Sequence, residues 1–278
     1  MIVDSHVHFW DTAALHYPWL EEIPSLDRPF LTEHYRVATG EIPIVKIVFV
    51  EANCRPGEAR REVDLIEHLA EREPRIAAIV AFADLTDTRA LAETLDALAL
   101  RPSVKGIRHN IQGQPAGFCL QDTFVNGVRE AGRRGFTFDL CATYDQLGEV
   151  VQLVRQSPDT RFVLDHCGKP AIRDRRAEAW RKDIVTLAQQ DNVACKLSGL
   201  LTEAAPEGRS DDDLLPYAET VTASFGPNRL MFGSDWPVLT LAGSYGDWYR
   251  FTERFTAAWT ADERSDFYAG TAARVYGL

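Results

Sequence analysis

The sequence predicts a single-domain (β/α)8 barrel (a TIM barrel), and three observations carry that prediction. Eight short apolar, β-rich runs recur at even spacing down the chain, and helical stripes of apolar residues separate them. The length of 278 residues matches the roughly 250 that such a barrel uses. A doubly wound open sheet is the competing arrangement, but eight evenly spaced units favour closure. No linker divides the chain, so residues 1–278 are expected to form one unit.

The runs lie at residues 2–8, 44–50, 76–82, 104–109, 136–140, 161–165, 193–197 and 230–233. Several, such as Ile-Val-Lys-Ile-Val-Phe-Val at 44–50, are too continuously apolar for a strand with one wet face. They read as parallel strands buried on both faces. Each intervening stripe places apolar residues three or four apart, the spacing of a helix lying on a sheet. The stripes are Val63, Ile66, Leu69 and Ala70; Leu91, Leu95, Leu98 and Ala99; Phe124, Val128 and Ala131; Leu147, Val150, Val151 and Val154. They continue with Trp180, Ile184, Leu187 and Ala188; Tyr217, Val221 and Phe225; Trp248, Phe251 and Phe255; and a terminal segment with Phe267, Ala272, Val275 and Tyr276. Residues 9–43 form one long excursion after the first strand, rich in Trp, Pro and Glu, and residues 112–117 and 204–213 read as further long loops. Long loops of this kind shape or cover an active site.

Hydrophobic residues at 45% and charged residues at 26% give an ordinary globular composition, which excludes disordered, collagenous and coiled-coil chains. Thirty basic against 41 acidic residues leave a net charge of −11, which argues against a nucleic-acid partner and against an anionic membrane. The five cysteines, Cys54, Cys119, Cys141, Cys167 and Cys195, form no C-x-x-C pair. Cys141 and Cys195 lie in apolar runs and read as small buried hydrophobes. Cys167, beside His166, alone invites a nucleophilic role. The N-terminal residues lack the basic and apolar regions of a signal peptide, and no apolar run approaches the ~18 residues of a membrane span. The expected location is the cytoplasm.

In a barrel of this kind chemistry sits at the C-terminal ends of the strands. The first run ends in His6-x-His8, two imidazoles on one face and able to converge on one metal ion. The second ends in Glu51, a carboxylate that is costly after an apolar run unless it is paired or lines a pocket. The fourth ends in Arg108-His109, where the planar guanidinium suits carboxylate or polyhydroxyl recognition. The fifth carries Asp139 and Cys141 and no histidine. The sixth ends in Asp165-His166, the seventh has Lys196 interrupting its apolar pattern, and the eighth leads to Asp235 at the position of a general base. Trp10 and Trp236 follow the first and last strands.

Together these strand ends resemble the amidohydrolase superfamily, and specifically its sugar-lactone hydrolase branch of the L-fuconolactonase and L-rhamnonolactonase type. The resemblance rests on residues 4–10 (Asp-Ser-His-Val-His-Phe-Trp), Gly106-Ile107-Arg108-His109, residues 165–170 (Asp-His-Cys-Gly-Lys-Pro), Lys196-Leu197-Ser198-Gly199 and residues 233–237 (Gly-Ser-Asp-Trp-Pro). It implies hydrolysis of an aldonolactone to the aldonic acid, with Asp235 activating water and His166, His109 or a metal ion polarising the carbonyl. Glu51, Arg108, Trp10, Lys196 and Trp236 would line the substrate pocket. His6, His8, His166 and Asp235 would hold one divalent ion, zinc by preference, although lactonases of this branch that work without a metal are also implied. The bridging residue on strand four and the histidine on strand five of two-metal members are absent, which argues against a second ion. A pocket containing Arg108, Lys196 and an ion is expected to be locally positive. The partner implied is a small-molecule lactone. Three alternatives compete: a metal-dependent decarboxylase of the same superfamily, a hydrolase of a non-sugar lactone such as a pyrone or muconolactone, and a non-catalytic sugar-acid binder.

Overall fold

A computed structural model describes residues 1–204 and 210–278 of the chain. Its strands are β1 (Ile2–Val7), β2 (Ile44–Val50), β3 (Ile76–Phe82), β4 (Val104–Arg108), β5 (Thr137–Leu140), β6 (Arg161–Leu164), β7 (Val193–Leu197) and β8 (Leu230–Phe232). All pair in parallel with their successors, so spatial order follows chain order, as in the predicted (β/α)8 barrel. Where a predicted run proves one residue too long, at His8, His109, Asp165 and Gly233, the extra residue has left the ladder just beyond the strand's C-terminal end.

Burial on both faces explains the continuous apolar runs. Inward-facing Val3, Val48, Val50, Ala78, Val80, Val163, Ala194 and Met231 cluster together, and Ala272 and Tyr276 of the terminal helix Thr271–Tyr276 pack into them. Fully burying one such Val contributes about 1.5–3 kcal/mol. Outward-facing residues meet the helices Ala59–Ala70, Leu91–Ala99, Asp122–Arg133, Leu147–Gln156, Glu178–Ala188, Asp211–Phe225 and Tyr245–Phe255, whose predicted stripes face the sheet.

The excursion after β1 contains a helix that the apolar pattern did not mark, Thr32–Thr39. Its buried residues are Thr32, Tyr35 and Thr39, so it has no apolar stripe to be recognised by. The excursion also has a small aromatic core. Trp10 pairs with Phe30 through backbone bonds of 3.0 and 2.9 Å, and its ring packs against Tyr17, Trp19 and Phe30. The indole N–H donates to the carbonyls of Leu26 and Arg28. Trp10 therefore holds the excursion together; it is completely buried and does not line a pocket, contrary to expectation.

The β1–β8 seam is closed mainly at the C-terminal mouth. Asp235 N donates to His6 O at 2.9 Å and His8 N to Trp236 O at 2.8 Å. Ser5 Oγ donates to Phe232 O at 2.7 Å. The buried Asp4 carboxylate accepts from Ser234 N at 2.8 Å and from the hydroxyls of Tyr35 and Tyr245, each at 2.9 Å.

The cysteines are free and buried. Cys167 Sγ is sealed inside and donates to Lys196 O at 3.4 Å, which removes the nucleophile reading. No helix among the described residues is long and apolar enough to cross a membrane. Of the loop predicted at 204–213, residues 205–209 lie outside the described residues, and 211–213 already belong to the helix Asp211–Phe225.

Candidate active site

The alternation of β1 brings His6 and His8 to the same side, and their Nε2 atoms lie 3.1 Å apart. Asp235, on the turn after β8, places Oδ1 3.4 Å from His8 Nε2 and 3.8 Å from His6 Nε2. His166, just past β6, points its Nε2 at the same oxygen from 3.8 Å. All four predicted metal-site residues thus converge at the mouth of the barrel.

The far nitrogen of each ring is already engaged. His8 Nδ1 lies 2.8 Å from Val50 O, which accepts its proton. His166 Nδ1 lies 2.9 Å from Ser198 Oγ. His6 Nδ1 lies 3.2 Å from Asp165 Oδ1 and 3.2 Å from Lys196 Nζ. A proton on Nδ1 facing the Asp165 carboxylate leaves the Nε2 lone pair of His6 directed at His8 and Asp235. Second contacts of this kind orient metal-bound histidines.

Burial, the main cause, holds the His6 and His166 pKa values well below the ordinary range, so both rings are neutral. For Asp235 burial opposes ionisation, but His166, a hydrogen bond from His8 and Lys169 outweigh it and hold the carboxyl below its usual value. Two neutral imidazoles and a carboxylate suit a borderline divalent ion. Donors of a tetrahedral ion with bonds near 2.0–2.1 Å stand about 3.3 Å apart, close to the spacings above. His6, His8 and Asp235 therefore fit one ion, and His6, Asp165 and His166 form a second, overlapping triad around the same imidazole.

The backbone is distorted where these groups are presented. His166, Cys167, Gly168 and Lys169 are successively left-handed, with φ of 53°, 53°, 69° and 45°, and Asp235 has φ 61°. Such conformations cost roughly 1–3 kcal/mol each for a non-glycine residue and cluster at functional sites. Gly199 makes room for the first of these turns. A Cβ there would lie 2.7 Å from His166 Cβ and 2.7 Å from Cγ, and its φ of +69° disfavours any side chain. Gly199→Ala is expected to destabilise the fold by about 1–3 kcal/mol and to weaken metal binding. Denaturant unfolding and metal titration measure the two effects.

Below the histidines lies a buried ionic network. Arg108 donates from Nε to Glu51 Oε1 at 2.6 Å, from Nη2 to Glu51 O at 2.5 Å and from Nη1 to Asp165 Oδ2 at 3.2 Å. Lys196 Nζ donates to Asp139 Oδ2 at 2.6 Å and lies 3.0 Å from Asp165 Oδ1. Tyr276 of the terminal helix donates its hydroxyl to the same Asp139 oxygen at 2.7 Å. Although burial opposes charge on Asp165, Lys196, His6 and Arg108 hold its carboxyl well below the usual range, whereas burial pushes Asp139 up. The lysine that interrupts strand seven thus has partners inside the protein. Lys196 and Glu51 act as internal counter-ions, not as the expected substrate contacts, and the expected locally positive pocket is instead balanced by carboxylates.

Two more expectations change. His109 Nδ1 accepts from Leu85 N at 3.2 Å, and its ring packs among Phe82, Phe118 and Phe124. It contacts the loop after β3 and is not brought to Asp235, so it is poorly placed to polarise a carbonyl beside that residue. Trp236 is 2% exposed, with its ring against Phe9, Phe30 and Tyr35 behind the site. Asp139 and Asp165 were not singled out as site residues, although each is a carboxylate within or just after an apolar run, the signal used for Glu51. Lys169, just past His166, was also overlooked.

Glu62, on the helix Ala59–Ala70, sits behind Glu51 and accepts from Ala52 N at 3.2 Å. Burial first, and the charge of Glu51 second, push its pKa up to about 8. Between the ordinary carboxyl value and about 8, the folded chain holds a proton that the unfolded chain has lost. Stability therefore falls as pH rises through that window. Glu62→Gln is expected to flatten this fall, as urea midpoints at pH 5, 6.5 and 8 would register.

Comparison with known proteins agrees with the geometry. A family model described as amidohydrolase matches residues 3–278. The chain is 36% identical over 289 residues to an L-fucono-1,5-lactonase of Burkholderia multivorans, covering 99% of this chain and 96% of the relative. An L-fucono-1,5-lactonase of Burkholderia ambifaria is 32% identical, with 99% of this chain and 95% of that one covered. A crystal structure of an amidohydrolase from Burkholderia multivorans with bound zinc superposes with a TM-score of 0.89 at 33% identity, covering 100% of this chain and 99% of that one. With the family match spanning almost the whole chain, and the histidines and aspartate gathered at the barrel mouth, the chain belongs to the amidohydrolase family.

Proposed function

We propose that this protein hydrolyses a sugar lactone to the corresponding aldonic acid, with L-fucono-1,5-lactone as the first substrate to test. The observation that carries this reading is the convergence of His6 Nε2, His8 Nε2 and Asp235 Oδ1 within 3.1–3.8 Å, in a chain 36% identical to an L-fucono-1,5-lactonase. His6, His8 and Asp235, with His166 beside them, would hold one divalent ion, zinc by the chemistry of the donors and by the zinc-bound relative. When bound, such an ion lowers the pKa of water and polarises a carbonyl.

The residues of the chain then do the following. Asp235, ionised, accepts a proton from water as its oxygen attacks the lactone carbonyl. The ring C–O bond breaks, and Asp235 returns the proton to the leaving alkoxide. His166, neutral and anchored by Ser198, faces the reacting centre. The product is a hydroxy acid that ionises, so one proton is released per turnover.

Charge balance favours a neutral substrate. The ionisable groups nearest the site include the carboxylates Asp235, Asp165, Asp139 and Glu51 and the cations Arg108, Lys196 and Lys169. Arg108 and Lys196 are already committed to carboxylates, so of these three cations Lys169 alone is open to an anionic group of a pyrone.

A panel of aldonolactones followed with a coloured pH indicator tests the proposal, together with metal analysis of the purified protein. Proton release with an aldonolactone and about one zinc per chain are expected. Carbon dioxide release from an aromatic acid, or saturable binding of aldonate without proton release, would overturn it.

A further inference from the structure

The left-handed turn that presents His166 also ends on Lys169, whose N–H closes it by donating to His166 O at 2.9 Å. The Lys169 side chain is only 19% exposed. The nearest carboxylate oxygen, Glu203 Oε1 at the end of the short helix Leu200–Glu203, is 3.7 Å from its ammonium. Burial disfavours charge on Lys169, yet Cys141, Glu203 and Asp235 more than compensate and keep its pKa above the ordinary lysine value. This largely buried ammonium follows the His166 turn, and its one carboxylate partner among the described residues stands at ion-pair distance, beyond a hydrogen bond, so it can still donate to a further acceptor.

We infer that Lys169 and Glu203 form a hydroxyl-recognising subsite of the active site, which reads the ring substituents of a polyhydroxylated lactone. A hydroxyl is both donor and acceptor. Lys169 supplies N–H groups to its lone pairs, and the Glu203 carboxylate accepts its proton. At 3.7 Å the two form an ion pair longer than a hydrogen bond, which leaves room for a hydroxyl to engage both; they lie just after β6 and β7, beside the His166 turn. This assignment rests on the lactonase reading and deepens it: the cation overlooked in the sequence becomes the determinant that separates a sugar lactone from a bare cyclic ester.

The test compares L-fucono-1,5-lactone with δ-valerolactone, which has the same ring size and no hydroxyls, in the metal-loaded wild-type protein and in Lys169→Met and Glu203→Gln. The ratio of the two kcat/KM values is expected to fall at least tenfold in Lys169→Met and severalfold in Glu203→Gln. The loss should appear mainly as a raised KM for the sugar lactone. A ratio unchanged in both folded variants, because both substrates lose activity in parallel or neither does, would overturn the inference while leaving the lactonase reading intact. A wild-type protein that hydrolyses no lactone would instead remove that reading, and this subsite with it.

Discussion

Asp235→Asn is expected to lower kcat with an aldonolactone by about 10²–10⁴-fold, the usual worth of a positioned general base, while leaving the folded protein intact. Asparagine is the right replacement because Asp235 sits at φ 61°, a region that Asn enters more readily than other residues with a side chain. The backbone bond from Asp235 N to His6 O, which helps close the barrel, does not involve the carboxylate and survives the change. Asn can still offer an oxygen near His6 and His8, but it cannot take a proton from water. Rates from the pH-indicator assay, alongside circular dichroism and an unfolding curve, separate lost chemistry from lost structure. Turnover within threefold of wild type would remove Asp235 from the role of base.

The second large effect lies below the site. Lys196→Met is expected to destabilise the protein by about 3–5 kcal/mol, the cost of removing one partner from a buried ion pair. Lys196 is fully buried, as are Asp139 and Asp165, and its ammonium lies 2.6 and 3.0 Å from their carboxylate oxygens. Removing the cation leaves Asp139 with only the Tyr276 hydroxyl and Asp165 with Arg108 and His6, and takes away the charge between the two buried carboxylates. The denaturant midpoint should fall sharply, and more so at high pH, where neither carboxylate can easily hold a proton. A loss below 1 kcal/mol would mean that the two carboxylates share a proton and never depended on the lysine.

The strands were legible because a parallel strand covered on both sides has no wet face to interrupt its apolar run, as residues 44–50 illustrate. The helix Thr32–Thr39 was illegible because it buries Thr32, Tyr35 and Thr39, which do not stand out as a core stripe. In the site, His6, His8, His166 and Asp235 were legible as polar groups placed where apolar runs stop. Their neighbours were harder. Trp10, Trp236 and Lys196 also stand at or near strand ends, but position along a strand does not say which way a side chain turns or what it meets. The partners of Lys196 come from β5 and from the turn after β6, and that meeting depends on the register of several strands. His109 was misplaced for the same reason, since the loop after β3 captures its ring.

The barrel's seam has a consequence for biosynthesis. The residues that close it, His6 and His8 on one side and Asp235 and Trp236 on the other, are those that gather the proposed metal ligands. The first pair precedes the second by nearly the whole barrel, so a ribosome delivers β1 well before β8. The growing chain therefore carries half of its ligand set without the carboxylate that completes it, and β1 waits with one edge open. A metal ion held by the proposed ligands would also clasp the two sides of the seam, so that occupancy and closure would reinforce each other by mass action. Synthesis of β8, ring closure and assembly of the proposed ligand set thus become a single checkpoint, which a chain lacking β8 cannot pass.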